Sequence, residues 1–256
     1  MLTYRVIPVL LLKNHGLVKT MRFKEPRYVG DPINAIKIFD EKEVDELVVL
    51  DIGASLESRE PAYRTINEVA SECFMPFCYG GGVRDVAAME RIFSLGAEKV
   101  AINSEAFVNL DLIRQAARRF GSQSIVGSVD VKKNMLGRYE VWVRGGTVNA
   151  HLNPVEYAQK LEDAGAGELF LNSIDRDGTM MGYDLALIRS VTRAVRIPVV
   201  AIGGAGSVDD LVAAVHEGGA SAAGAGAMFV FHGKHRAVLI TYPDRDLLNQ
   251  KLHSCS

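Results

Sequence analysis

PFCYGGGVRD at residues 76–85 and PVVAIGGAGS at residues 198–207 decide the fold. Each is a short apolar run that ends in adjacent glycines and leads into a helical pattern. Pro76, Gly81 and Gly82 recur as Pro198, Gly203 and Gly204, all displaced by the same 122 residues, and Glu46 recurs as Glu168 at that displacement. A fixed displacement points to two copies of one block of structure. Working outward, the runs VIPVLLL, ELVVLDI, MPFCYGG, KVAINS, SIVGSVD, ELFLNSI, IPVVAIGG and ASAAGAG alternate with longer helical patterns. That makes eight βα units, read as one domain over residues 1–256. Runs without polar alternation indicate strands covered on both faces, as in a closed parallel barrel. The expected fold is therefore an α/β (β/α)8 barrel with a twofold half-barrel repeat; an open doubly wound sheet is the competing arrangement. Between strands five and six, the alternation in GRYEVWVRGG predicts a small hairpin on the catalytic face.

At 256 residues and 48% hydrophobic composition the chain can bury one large core. Its 29 lysines and arginines nearly cancel its 31 aspartates and glutamates, so no broad field exists to hold nucleic acid or an anionic membrane. Cys73, Cys78 and Cys255 form no CxxC pair and have no histidine at ligand spacing, so neither a metal nor another cofactor is expected. No segment reaches the roughly 18 apolar residues of a membrane span, and a cytoplasmic protein is expected.

Chemistry concentrates after the strands. Gly81-Gly82 follows strand three and Gly203-Gly204 follows strand seven, each entering a helix, where free N–H groups bind phosphate. One strand later come Asn103-Ser104 and Gly226-Ala227, small residues whose backbone donors can converge on the same anions. One pair per half suggests a small-molecule substrate carrying two phosphates.

RVIPVLLLK, YGGGVRD, EKVAINSEA, FGSQSIVGSVDVKK, DRDGTMMGYDL and IPVVAIGGAGS together resemble the cyclase subunit of imidazole glycerol phosphate synthase, in register across nearly the whole chain. The resemblance implies a barrel that receives ammonia from a glutaminase partner and uses it on a bisphosphorylated substrate. It implies phosphate ligands at Gly82, Asn103, Ser104, Gly204 and around Gly226. It also implies a mobile-loop lysine at Lys19, a proton-handling carboxylate at Asp130 and a further site position at Asp177. Asp130 stands where a barrel strand ends, the usual place for acid or base catalysis.

The chain departs from that family at one decisive position. The family pattern Ile-Pro-Cys-Leu-Asp-Val-Lys reads Ile7-Pro8-Val9-Leu10-Leu11-Leu12-Lys13 here, so Leu11 replaces a second catalytic aspartate. One well-placed acid or base contributes roughly 10²- to 10⁴-fold in rate, which a leucine cannot supply. Asp51, at the end of strand two, is a substrate-binding candidate and one neighbour that could substitute as the acid. At the opposite end, Arg5, Glu46, Lys99 and Glu168 start strands one, two, four and six and match the family's charged ring at the ammonia entrance, with Glu98 beside it facing the glutaminase. Arg5 and Leu11 share strand parity and lie about 20 Å apart.

Three readings follow. The first is a divergent paralogue that still takes ammonia but serves another amination. Its LLLK strand and the tail from Phe229 to Pro243 resemble relatives found with surface-polysaccharide genes. Those relatives act with a glutaminase and a separate ATP-using amidotransferase to form acetamidino sugars. The second reading is a genuine cyclase of histidine biosynthesis, and the third a non-catalytic ammonia conduit. The sister isomerase of histidine synthesis fits less well, since it would want the strand-one aspartate and would not need a charged entrance.

Overall fold

The computed structural model describes residues 4–253, and Cys255 lies outside them. Eight strands form the barrel: β1 (Arg5–Lys13), β2 (Leu47–Asp51), β3 (Phe77–Gly80), β4 (Lys99–Ile102), β5 (Ile125–Lys133), β6 (Glu168–Ser173), β7 (Val199–Ile202) and β8 (Ala222–Ala225). Each pairs in parallel with the next, and β8 returns to β1 through Arg5↔Ala222 to Pro8↔Ala225. The sheet is closed, which excludes the open doubly wound arrangement.

Around it run α1 (Pro32–Glu41), α2 (Tyr63–Glu72), α3 (Val86–Ser94), α4 (Asp111–Phe120), α5 (Pro154–Ala164), α6 (Leu185–Thr192), α7 (Val208–His216) and α8 (Arg245–His253). Local chemistry starts and stops them. Asp31 accepts from the Asn34 N–H ahead of Pro32, and Asn153 caps α5 ahead of Pro154, which Gly165 ends in a left-handed conformation. The half-barrel repeat extends to the caps: Asp85 accepts from Ala88 N at 2.7 Å, and its counterpart Ser207 closes a capping box with Asp210.

Closing the sheet splits the core in two. Ile7, Val9, Val48, Cys78, Ala101, Val126, Phe170, Val200, Ile202 and Ala222 fill the barrel, with Leu11 and Leu50 above them. The other strand face packs against the helices through residues such as Leu10, Phe39, Met89, Leu161 and Val191. Both faces being buried explains the unbroken apolar strands. Phe170 is the largest side chain inside, and truncating it to alanine would cost about 3–5 kcal/mol.

Two features differ from the sequence reading. The segment after β1 is not a loop: Gly16–Met21 and Lys24–Gly30 form a hairpin whose first strand pairs antiparallel with β1, Leu11 facing Val18. Its two turns, Asn14-His15 and Arg22-Phe23, have positive φ at both central residues (49°, 63° and 54°, 61°). This is the twisted two-residue turn normally signalled by Asn-Gly, and here neither central pair contains glycine. The other difference lies after β5. Tyr139–Val143 turns back onto β5 itself, Asp130 facing Trp142, and then pairs with Val148–Asn149, so the expected hairpin is an extension of the barrel strand. After β8 a short helix, Ala227–Val230, leads to a small hairpin of Phe231–His232 with Ala237–Val238. Among the described residues no helix is long and apolar enough to cross a membrane.

Candidate functional site

The C-terminal ends of the strands surround a cavity of ≈ 260 Å³. Its lining combines apolar side chains, Val9, Leu11, Leu50, Phe170 and Ile202, with polar ones, Lys19, Asn103, Asp130, Asn172 and Asp177. All thirteen positions read from the sequence as catalytic or substrate-binding line this one cavity.

Asp130 is held by strand pairing beside Asn172 on β6. It is 8% exposed, and Asn103 Nδ2 donates to its Oδ2 at 3.2 Å. Burial, and then the nearby Asp177, push its pKa up to about 7. A carboxyl poised there can both give and take a proton near neutrality. Asn172 contributes a carbonyl oxygen that is buried with no partner among the described residues. Across β1 Leu11 presents only methyl groups, so Asp130 faces no second carboxylate at that position.

Asp51 does not serve as a free surrogate acid. Its Oδ1 accepts from Gly53 N at 3.0 Å and Ala54 N at 3.1 Å, and the Arg59 guanidinium pairs with both oxygens at 3.2 and 3.3 Å. Both of its oxygens are therefore already engaged by the β2 loop and by Arg59.

Lys19 is on the hairpin strand, 4% exposed, not on an exposed loop. Its Nζ donates to the Val9 carbonyl, and a Cβ placed on Gly226 would lie 2.5 Å from it. Burial lowers its pKa to about 8, with Asp177 opposing. Asp177 itself holds the hairpin across the mouth: its Oδ2 accepts from Thr20 Oγ1 at 2.7 Å and Phe23 N at 3.1 Å, and its main-chain carbonyl accepts from Arg22 N at 3.0 Å. Burial raises its pKa, against the lowering effect of those two hydrogen bonds and Lys19.

The glycine cups repeat in three dimensions. Gly81 (φ 122°) and Gly203 (φ 91°) turn the chain after β3 and β7, and a Cβ would meet Asp51 O at 2.5 Å in the first and Asn172 Oδ1 at 2.7 Å in the second. Among the described residues, the N–H groups of Gly82, Gly204 and Gly226 donate to no protein acceptor, which leaves them for an anion. Asn103 differs from expectation in its side chain, which is turned to Asp130 and the Ser128 carbonyl; Ser104 Oγ accepts from Arg144 N at 3.0 Å.

At the other end the four charges form a closed ring. Arg5 donates to Glu46 and Glu168, and Lys99 Nζ reaches Glu46 at 2.9 Å and Glu168 at 2.8 Å, so each carboxylate takes both cations. The glutamates are 3% and 4% exposed. Burial alone would lower the pKa of Arg5 and Lys99, but Glu168 and Glu46 outweigh it and raise both. Ile7, Val48 and Cys78 stand between this ring and the mouth.

Sequence reading missed Thr20, Phe23, Arg59 and Asn172. Thr20 and Asn172 each lie beside a residue already singled out or one strand away from it, but only pairing register reveals the neighbourhood.

A closed, twice-repeated barrel with its cavity at the strand C-termini defines the class: a (β/α)8 barrel of the kind whose ligand chemistry sits on βα loops. The histidine biosynthesis protein family matches residues 5–236, and the chain belongs to that family, in the HisF type of imidazole glycerol phosphate synthase subunit. It is 57% identical, over 97% of its length and 99% of the relative's, to a Pseudomonas aeruginosa protein provisionally named imidazole glycerol phosphate synthase subunit hisF2. It is 49% identical to a Vibrio vulnificus protein provisionally named subunit hisF3, over 95% of this chain and 94% of that one. Identity to the imidazole glycerol phosphate synthase subunit HisF of Alkaliphilus metalliredigens is 43%, over 91% and 92% of the two chains.

Proposed function

We propose that this chain is the ammonia-receiving barrel of a glutamine amidotransferase complex, a divergent paralogue of the histidine-pathway cyclase. It pairs with a glutaminase at the Arg5–Glu46–Lys99–Glu168 end and passes ammonia along the barrel axis. Its two glycine cups hold the phosphates of a small molecule. The ammonia serves acetamidino-sugar formation for surface polysaccharide, with a separate ATP-using amidotransferase as the consuming enzyme. One observation carries the reading: the charged ring is complete while Leu11 removes one acid from the mouth. The numbered names hisF2 and hisF3 of two relatives support a paralogue.

The test is reconstitution with the glutaminase from the same genome. A stable complex with stimulated glutamine hydrolysis is expected, together with no imidazole product from the bisphosphorylated substrate and ammonium. Leu11→Asp is expected to gain that product. Turnover by the wild type at the rate of Leu11→Asp would overturn the paralogue reading, and failure to bind any glutaminase would overturn the conduit.

A second reading, ring closure by Asp130 without a partner acid, is favoured by one fact. The Asp130 pKa of about 7 suits a group that acts as base and then as acid. The same turnover assay separates the two.

A further inference from the structure

Two guanidinium groups share one aromatic ring at the rim of the mouth. Arg236 Cζ lies 4.7 Å from the centroid of Phe231, and Arg27 Cζ lies 5.7 Å from it. Arg27 comes from the hairpin after β1, where it pairs with Lys19, and Arg236 from the turn of the small hairpin after β8. Arg236 Nη2 donates to the carbonyl of Gly178 at 2.8 Å, and Gly178 lines the mouth cavity beside Asp177.

Charge and hydrogen bonding are both incomplete here. Among the described residues neither arginine has a carboxylate within ion-pair distance. Arg236 Nε is buried and has no acceptor. A buried donor left unmade is costly, the more so when charged, and two cations on one ring repel. The turn adds Lys234 and the exposed His232 and His235, and no acid occurs from Phe231 to Pro243 in a chain of net charge −2. An oxyanion answers all of this, because a guanidinium edge matches the two oxygens of a carboxylate or phosphate.

We propose that Arg27 and Arg236, set by the ring of Phe231, form a rim site for an oxyanion of a small-molecule ligand, separate from the two glycine cups. The ligand group is a phosphate or a carboxylate. Because Arg27 belongs to the hairpin that carries Lys19, the bound anion ties that hairpin to the tail.

The test follows the Nε–H nuclear magnetic resonance of Arg236, assigned by its loss in Arg236→Lys, during titration with inorganic phosphate and separately with succinate. A saturable shift is expected with one of them, and which one identifies the oxyanion. Arg27→Gln is expected to weaken that binding by about 10-fold or more, as loss of a charge-assisted pair implies. No saturable shift with either anion overturns the site, as does equal affinity in Arg27→Gln. Arg27→Lys, which keeps the charge but loses the planar fork, is expected to fall between, so a folding defect in the glutamine variant does not decide the matter. The readout is local to Arg236 and independent of glutaminase binding or turnover.

Discussion

The Nζ of Lys19 donates to the main-chain carbonyl of Val9 at the inner lip of the β8 cup. The lysine is enclosed, and burial brings its pKa from 10.5 to about 8 despite Asp177. The unfolded chain keeps this proton up to pH 10.5 while the native chain releases it near 8. Stability therefore rises with pH between about 8 and 10.5, and the full cost of the buried charge is present below 8. Lys19→Met is expected to flatten that rise and to gain on the order of 2–3 kcal/mol at pH 7, less the lost hydrogen bond. Urea unfolding at pH 7, 8.5 and 10 measures it. The same variant is expected to bind inorganic phosphate about 10- to 100-fold more weakly, by calorimetry.

Asp130 gives the opposite pH dependence. Its folded pKa of about 7 lies above the unfolded 3.8, so the native state binds the extra proton in that window. Stability from this group rises as pH falls from about 7 toward 3.8, and above 7 the whole burial penalty remains. Asp130→Asn keeps an acceptor for Asn103 and removes the charge. It is expected to raise stability at pH 8 by on the order of 2–4 kcal/mol and to change it little at pH 4.5, checked by urea unfolding at both.

Much of this site was legible because it repeats. The displacement that relates Gly81 to Gly203 also relates Asp85 to Ser207, so strand ends, cups and helix caps could be read twice. The hairpin after β1 was not legible. Its turns place Asn14, His15, Arg22 and Phe23 at positive φ, a conformation that sequence usually marks with glycine. What holds the second turn is remote, the Asp177 loop more than 150 residues away. For the same reason Lys19 was expected on a mobile loop and Asp51 as a surrogate acid: the enclosure of one and the Arg59 pairing of the other are tertiary facts.

The charged ring makes a prediction about balance. Glu168→Leu leaves Arg5 and Lys99 on Glu46 alone and is expected to cost about 3–5 kcal/mol, since it strands a largely buried charge. Adding Arg5→Met restores one cation to one anion. The double variant is expected to be more stable than Glu168→Leu alone, a coupling that a double-mutant cycle in urea reads directly. Additive losses would mean that the four side chains do not act as one network.

Asp177 supplies the last prediction, because the same side chain is placed to serve either chemistry or closure. Its Oδ2 takes two donors from the hairpin, Thr20 Oγ1 and Phe23 N, and both come from the segment that covers the mouth. The Arg22-Phe23 turn is strained, and such strain of about 1–3 kcal/mol persists only while surrounding contacts impose it. Asp177→Ala removes the two side-chain bonds but not the one from Arg22 N to its own carbonyl. Amide hydrogen exchange in residues 16–30 is expected to accelerate about 10-fold or more, with β4 to β7 unchanged. Thr20→Val, which takes one of the two bonds, is expected to give a smaller acceleration in the same segment. If exchange there is unaltered in both variants, closure does not depend on Asp177, and its carboxylate is left for the ligand.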